Sequence, residues 1–322
     1  MEKNKETEKP LMVTIRCTAY NHEPYIRDCL EGFVKQRTNF RFEAIVHDDA
    51  SIDGTASIIR EYAEKYPDII KPIFESENQY SKHDGSLNRI MNAHTCGRYV
   101  AYCEGDDYWT DPLKLQKEFD ILEKNPNITM VYTNFETVDK NGVKVDRPRY
   151  EHIRKISKSG SIFYELLTSG NFVMTVSTMY RRDIIMNQIV EKSPFRLDYL
   201  LTTVAAGLGD VFYIKDKTCC YRWTPTGMME TNMQGVEKAI NGIKYYIEKS
   251  YLKGKLNKIS KSLESHIIDH CLRTAFNLFR KNENKADLVH LLKENPRLIF
   301  RLIVVITKYG FLKVIKKRRN EF

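Results

Sequence analysis

Residues 102–109 read Tyr102-Cys103-Glu104-Gly105-Asp106-Asp107-Tyr108-Trp109, placing three carboxylates within four positions directly after the apolar run Tyr99-Val100-Ala101-Tyr102. That run is short, aromatic and preceded by Gly97, which predicts a buried strand ending where the acids begin. Acids this close repel one another and are costly at the buried end of a strand unless a cation or a set of hydrogen bonds neutralises them. Magnesium and manganese take oxygen ligands, often one or two carboxylates plus a substrate diphosphate, and so suit a cluster of this size. Gly105 is expected to supply the turn between the acids. The alternative is an acidic loop that only caps a helix starting near Pro112, with Asp111 as its N-cap.

Upstream of this stretch, strand and helix patterns alternate. Leu11 to Thr18 is β-rich, and Tyr20-Asn21-His22-Glu23-Pro24 reads as a turn. A helix follows from about Tyr25 to Gln36, its apolar face carrying Ile26, Leu30, Phe33 and Val34. Phe42 to Val46 predicts a second strand that runs into His47-Asp48-Asp49-Ala50-Ser51-Ile52-Asp53-Gly54-Thr55. A helix is expected over 55–65, a strand over 69–74 and a helix over 86–96. Strand and helix in repetition imply βαβ crossovers and a mainly parallel sheet. Ligands of such sheets sit at the carboxyl ends of the strands, where sequence order gathers Tyr20, Asp48 and Glu104. The turn at 48–55 has a bland reading too, since Asp, Ser and Asp-Gly are ordinary helix-cap and turn residues. Two adjacent acids closing an apolar strand exceed what a cap needs, and can accept hydrogen bonds from a nucleobase N–H or ribose hydroxyls.

The 322 residues and 42% hydrophobic content allow one large globular domain or one domain with an appendage. Cys17, Cys29, Cys96, Cys103, Cys219, Cys220 and Cys271 form no CxxC pair, so neither a zinc site nor a disulfide framework is expected. The charged stretch 1–10 lacks the apolar core of a signal peptide, which predicts an unstructured start on a cytoplasmic protein. Charge is uneven: residues 1–235 hold 31 Lys and Arg against 34 Asp and Glu, whereas 236–322 hold 20 against 8. A basic tail of this kind points to an anionic partner for that part alone.

The series Tyr20-Asn21, then Asp48-Asp49-x-Ser51-x-Asp53-Gly54-Thr55, then Glu104-Gly-Asp-Asp-Tyr-Trp109 resembles the nucleotide-sugar binding half of family 2 glycosyltransferases. The likeness continues through Pro112–Pro126, the hairpin-like Val138-Asp-Lys-Asn-Gly-Val143, Gly170-Asn171-Phe172 with Ser177–Arg182, and Arg196-Leu197-Asp198-Tyr199, covering about residues 10–230. The resemblance implies an α/β fold of the GT-A type, a mainly parallel central sheet flanked by helices. The catalytic domain would span 11–235 and a basic helical appendage 236–322.

It also implies roles. Thr18, Tyr20 and Asn21 would line the nucleotide pocket, and Asp48 and Asp49 would hold base and ribose. Glu104 would contact ribose or metal-bound water, Asp106 would ligate a Mg2+ or Mn2+ ion with Asp107 beside it, and Asp198 would act as catalytic base. The donor is then a nucleotide-diphospho-sugar and the acceptor a saccharide or lipid-linked hydroxyl, in cell-surface polysaccharide synthesis. Two departures stand out. Glu104 replaces the Asp that opens the family's acidic motif. Thr224 stands where relatives often carry His after Tyr221-Arg222-Trp223, leaving Arg222 or Trp223 as the diphosphate contact expected from this loop. The alternative for Asp198 is a helix cap before Leu200, Leu201 and Val204.

Other activities fit less well. A nucleotidyltransferase would also gather acids and a metal but calls for a Gly-rich, basic phosphate loop near the first strand, and residues 20–25 contain neither glycine nor lysine. No GxGxxG follows that strand, which argues against a dinucleotide oxidoreductase. A nucleic-acid binder would need basic residues interleaved with aromatics, whereas the motif-bearing part is slightly acidic. Apolar positions at helical spacing (Ile240, Ile243, Tyr246, Ile247, then Leu263 to Phe279) predict helices in the tail. The apolar run 298–312, interrupted by Arg301 and Lys308 and followed by Lys313, Lys316, Lys317, Arg318 and Arg319, is shorter than the roughly 20 residues a membrane span needs. It is expected either to dock on the catalytic domain or to lie on an anionic membrane surface, at the inner face of the plasma membrane.

Overall fold

The computed structural model describes residues 9–193 and 198–224, together with positions 247, 299, 302–304 and 307. The expectations for residues 1–8, for Arg196 and Leu197 and for nearly all of the tail lie outside the described residues. The chain divides into two compact units, 1–233 and 234–322.

The first unit is built on one eight-stranded sheet with the order β3-β2-β1-β4-β7-β6-β8-β5. Its strands are β1 (Leu11–Ala19), β2 (Arg41–Asp48), β3 (Ile70–Phe74), β4 (Tyr99–Tyr102), β5 (Tyr108–Trp109), β6 (Ile128–Val138), β7 (Thr178–Arg181) and β8 (Asp210–Arg222). The half made of β3, β2, β1 and β4 is parallel. Antiparallel β7 links it to a second half in which β6 and β8 run parallel and β5 closes the edge antiparallel to β8. Residues 13–17 of β1 are all buried, as for a strand covered on both faces, so period-two alternation is absent there.

Helices α1 (Ile26–Val34), α2 (Thr55–Lys65) and α3 (Ser86–His94) make the crossovers of the parallel half. On α1 the predicted face is present, with Ile26, Leu30 and Phe33 fully buried. Gly32 on this helix has a reason that no sequence pattern gave: a Cβ there would sit 2.9 Å from the Trp109 backbone nitrogen. Helix against β5 is therefore a close backbone approach, and Phe33 meets the Trp109 ring edge-on at 5.1 Å. Gly97, just before β4, is equally constrained, since its Cβ would come within 2.4 Å of the Thr14 nitrogen.

Helix α4 (Lys114–Lys124) starts later than expected, with Leu113 rather than Asp111 at the cap position. Pro112 and Leu113 insert a turn, and Asp111 Oδ1 accepts the Leu113 N–H within it. The helix also buries an ion pair: Lys114 Nζ donates to both Glu118 oxygens at 2.7 and 2.8 Å, with neither side chain exposed, and lies 4.6 Å above the Trp109 ring. Removing one partner leaves an uncompensated buried charge. Glu118→Leu is expected to cost about 3–5 kcal/mol in urea unfolding, and the double variant Lys114→Met/Glu118→Leu to recover most of it. Equal losses in single and double variants would show that shape, not charge, governs this spot.

The remaining helices are α5 (Pro148–Ile156), α6 (Phe163–Ser169), α7 (Arg182–Ile185), α8 (Gln188–Glu191) and α9 (Asp198–Leu208), the last packed on β6 and β8. Between β6 and α5, Val138–Lys144 form the predicted hairpin-like turn, closed by the Asp139 N–H to Val143 carbonyl bond. Strand β8 slips register against β6 around Asn134, then continues to pair Cys219 and Cys220 with Trp109 and Tyr108. That extension carries Arg222 to the acidic stretch.

Candidate active site

The chain leaves β1 towards β2 and β3 on one side and returns on the other side as β4, so the order reverses beside β1. Open α/β sheets bind ligands outside the strand ends at such a reversal. Ala19 and Asp48 are register partners at the ends of β1 and β2. The Gly105 N–H donates to the Thr18 carbonyl at 2.9 Å and the Asp49 N–H to the Ala19 carbonyl at 2.9 Å. Thr18, Tyr20, Asp48 and Glu104, far apart in sequence, are thus brought to the adjoining ends of β1, β2 and β4.

Much of the 48–55 turn holds the first loop in place. Ser51 Oγ accepts the Asn21 N–H, Thr55 Oγ1 accepts the His22 N–H, and Asp53 Oδ2 accepts the Glu23 N–H. Asn21 Oδ1 accepts the Ile52 N–H in return. Asn21 and Ala50 both have left-handed backbone (φ 55° and 63°), a conformation asparagine tolerates and alanine adopts only when its surroundings impose it. Asn21 therefore shapes the pocket by holding the turn. Asp49 is also engaged: its two oxygens accept the N–H groups of Gln79 and Tyr80. Asp48 differs. It is buried, and its Oδ1 has no hydrogen-bond partner, as is the case for His22 Nδ1 against the acidic loop. An orphaned buried carboxylate oxygen is costly and marks a place for a donor from outside the protein. Tyr20, 45% exposed, stands open at the rim.

Gly105 is required by space rather than by its backbone angle, which is not left-handed. A Cβ would lie 2.9 Å from His22 Nδ1 and 3.0 Å from the Ala19 and Ile26 side chains. The acidic loop thereby presses onto the β1 loop. Asp107 is buried, and its Oδ1 accepts the Arg222 N–H at 2.7 Å, tying the loop to the end of β8. Arg222 does not offer the diphosphate contact expected of it. Its Nε donates to the Asp106 carbonyl and its Nη2 to Asp28, while Nη1 reaches the Asp139 and Lys140 carbonyls and the guanidinium lies over Tyr25 and Tyr108. With those donors occupied and only 4% of the residue exposed, Arg222 is a clamp behind the acids.

Glu104 and Asp106 are half-buried, and among the described residues no hydrogen bond reaches their carboxylate oxygens. Burial, then the charge of Asp106, and less strongly that of Asp198, push Glu104 up to about 8. Burial, then the charges of Asp106 and Glu104, raise Asp107 well above its ordinary value. Among the described residues Arg222 is the one cation against three acids here, and the free atoms of Glu104 and Asp106 are hard oxygens, so a divalent cation fits the set. No cage of three or more His, Cys, Asp and Glu side chains exists among the described residues. One or two carboxylates completed by substrate oxygens is a normal arrangement for Mg2+ or Mn2+.

Asp198 opens α9 and keeps an exposed edge. Its Oδ2 accepts from Asn171 Nδ2 (3.1 Å) and Thr175 Oγ1 (2.8 Å), and its Oδ1 from the Tyr199 N–H (2.7 Å). Surrounding protein raises its pKa, against the lowering effect of the Thr175 and Tyr199 bonds. Its charge is felt at Glu104, so the two carboxyls share one electrostatic environment. Asn171 lies in a stretch whose likeness to the family was legible in the sequence. Thr175, Asp28 and His22 were not legible as site residues, because each gains its place only through a contact distant in sequence.

Residues 14–187 match the family model for glycosyl transferase family 2. The chain belongs to that family. An uncharacterized protein of Mycobacterium tuberculosis is 34% identical over 210 residues, 65% of this chain and 58% of its own length. The Escherichia coli UDP-Glc:alpha-D-GlcNAc-diphosphoundecaprenol beta-1,3-glucosyltransferase WfgD is 27% identical over 132 residues, 41% of this chain and 49% of its own. The chain thus spans under two thirds of the length of these relatives. The crystal structure of S. aureus TarS 1–349 in complex with UDP-GlcNAc matches with a TM-score of 0.56 at 19% identity, covering 84% of this chain and 73% of that one. The expected GT-A type fold is the fold observed. No described helix is long and apolar enough to cross a membrane.

Within this family 2 chain, a cation taken up by Glu104 would displace a proton that burial helps to retain. Mn2+-dependent binding of a nucleoside diphosphate is therefore expected to strengthen as pH rises from about 6 towards about 8, then level off. The same raised pKa has the opposite sign for folding without metal: the folded state holds the proton more tightly, so stability falls as pH climbs from the unfolded value near 4.5 to about 8. Calorimetric titrations at three pH values check the first statement, and a flat profile would exclude Glu104 from the cation site.

Proposed function

We propose that this protein is an inverting, metal-dependent glycosyltransferase that moves a sugar from a nucleotide-diphosphate donor to a hydroxyl of a saccharide or lipid-linked acceptor, in cell-surface polysaccharide synthesis. The observation that supports the reading is the meeting of an orphaned Asp48 oxygen and the under-neutralised Glu104-Asp106-Asp107 set at the ends of adjoining strands, with Asp198 held by Thr175 as the candidate base. Family membership and the printed activity of WfgD support the reaction class, and the UDP-GlcNAc of TarS supports the donor class. The catalytic unit would span residues 11–235.

In this reading Asp48 accepts an N–H of the nucleobase, with Thr18, Tyr20 and the Asn21 turn as walls. Asp49 holds the Gln79–Tyr80 segment beside the ribose. Asp106 with Glu104 holds the cation, which when bound stabilises negative charge on the departing diphosphate. Asp107 and Arg222 keep the loop in position. Asp198 takes the proton of the acceptor hydroxyl as the oxygen bonds to the anomeric carbon and the carbon–phosphate-oxygen bond breaks, its electrons leaving on the diphosphate. Thr175 and Asn171 fix the Asp198 carboxyl for that transfer. One base, with no second carboxylate placed as nucleophile, gives a single displacement and inversion. Proton NMR of the product tests this: an α-linked donor should give a β-linked product, and retention of configuration would contradict the scheme.

A further inference from the structure

Strand β1 buries a cation. Arg16 is the one charged residue among Leu11–Ala19, it lies in a strand covered on both faces, and it is only 5% exposed. Arginine is seldom buried this far without a carboxylate beside it. Among the described residues Arg16 has none: its one side-chain hydrogen bond runs from Nη1 to the Tyr102 hydroxyl at 3.2 Å, and it enters no ion pair. Its other guanidinium N–H groups donate to no described residue. Tyr102 is half-buried, and burial pushes its hydroxyl pKa up, so the phenol keeps its proton and is a second donor. Two adjoining side chains thus hold several donors without an acceptor to receive them.

The pair is built into the strands that carry the site. Side chains alternate along a strand, so Arg16 shares a face of β1 with Thr18, two residues nearer the ligand end. Arg16 and Tyr102 are register partners, and the ladder continues from them to the acidic loop: the Cys103 N–H donates to the Arg16 carbonyl at 3.2 Å and the Gly105 N–H to the Thr18 carbonyl at 2.9 Å. Glu104 follows Tyr102 by two residues, about 7 Å along an extended chain. On the other side, Tyr180 meets the Tyr102 ring edge-on at 5.7 Å, and its hydroxyl lies 3.0 Å from Thr202 Oγ1 on α9, the helix that Asp198 opens. The row Arg16, Tyr102, Tyr180 and Thr202 therefore runs from the strand beside the acidic loop to the helix of the candidate base. A sugar held between a cation at Glu104 and Asp106 and a base at Asp198 lies over such a row.

We propose that Arg16 and Tyr102 form a subsite for a carboxylate on the transferred sugar, so that the donor is a nucleotide-diphospho-uronic acid. A guanidinium presents parallel N–H groups that match the two oxygens of a carboxylate, and the phenol adds a third bond. The diphosphate has the cation for its own charge, whereas a neutral hexose would leave the buried guanidinium uncompensated. The proposal rests on reading this site as a nucleotide-sugar site and adds the class of sugar.

The test is calorimetry on the full chain in Mn2+ with UDP, UDP-glucose and UDP-glucuronate, in parallel with GDP, GDP-mannose and GDP-mannuronate, beside thermal unfolding without ligand. In at least one series the uronate should bind about tenfold tighter than the neutral sugar. Arg16→Met should abolish that preference and leave affinity for the bare nucleotide unchanged, and Arg16→Lys should retain part of the preference. Without ligand, Arg16→Met should melt no lower than the wild type, since it removes a buried charge that the protein leaves unpaired. A wild-type chain without preference for either uronate would overturn the subsite. So would equal losses for nucleotide, sugar and uronate in Arg16→Met, which would assign Arg16 to the diphosphate, or a marked fall in its ligand-free melting temperature, which would make Arg16 a structural residue. Binding of neither nucleotide would remove the donor reading and the subsite with it, an outcome distinct from nucleotide binding without a uronate preference.

Discussion

Replacing Asp198 by asparagine is expected to lower turnover by roughly 100 to 10,000-fold while leaving nucleoside diphosphate affinity nearly unchanged. The substitution keeps the size of the side chain and one oxygen for the Tyr199 N–H, while the amide would face Thr175, whose hydroxyl can turn to accept. What it removes is the capacity to take a proton. The raised pKa of Asp198 strengthens the expectation, because a carboxylate closer to neutrality is a better base for a hydroxyl at its moment of attack. Initial rates with donor and acceptor, beside calorimetry with UDP, separate the two effects. Near-wild-type transfer would remove Asp198 from the chemistry, and a parallel loss of UDP binding would make it a structural residue of the pocket.

Asp106→Asn should reduce kcat/KM by roughly 100 to 1,000-fold and remove the gain that Mn2+ gives to donor binding. The fold should survive, because the protein uses the Asp106 backbone carbonyl, which accepts from Arg222, and leaves the carboxylate without a partner among the described residues. Asp107 makes the contrast within the same motif. Its carboxylate accepts the Arg222 N–H that fastens β8 to the acidic loop, so Asp107→Ala should show first as lowered thermal stability. If the two substitutions behaved alike in stability and in metal dependence, the division of labour between neighbouring acids would be wrong.

The parallel half of the sheet was legible because its signals are local. Short apolar strands, amphipathic helices and turn residues alternate, and the helix at 55–65 and the strand at 99–102 lie where the pattern puts them. The meeting of the first, second and fourth strand ends also follows from order alone. What could not be read is which member of a motif faces the hollow. Ser51, Asp53 and Thr55 belong to the motif but were readable as turn and cap residues, and in the structure their side chains bind the Asn21–Glu23 backbone. Arg222 looks like a phosphate ligand, and its donors are used within the protein because β8 runs on past its register slip to pair with β5. Gly105 does sit in the expected turn, closed by the Asp107 N–H to the Glu104 carbonyl, but its second role, letting two loops touch, was not readable. Each of these depends on contacts dozens of residues apart, which no pattern along the chain encodes.

The most direct test of the central claim, that Asp48 and Asp106 serve one hollow in which a cation joins the protein to a diphosphate, is a calorimetric titration of UDP, with GDP as a second probe, into the full chain with and without Mn2+. The account predicts that at least one nucleoside diphosphate binds, that Mn2+ tightens it at least tenfold, and that Asp48→Ala weakens it in both conditions. Binding of neither nucleotide, or binding equally tight in EDTA and in Mn2+, would contradict it.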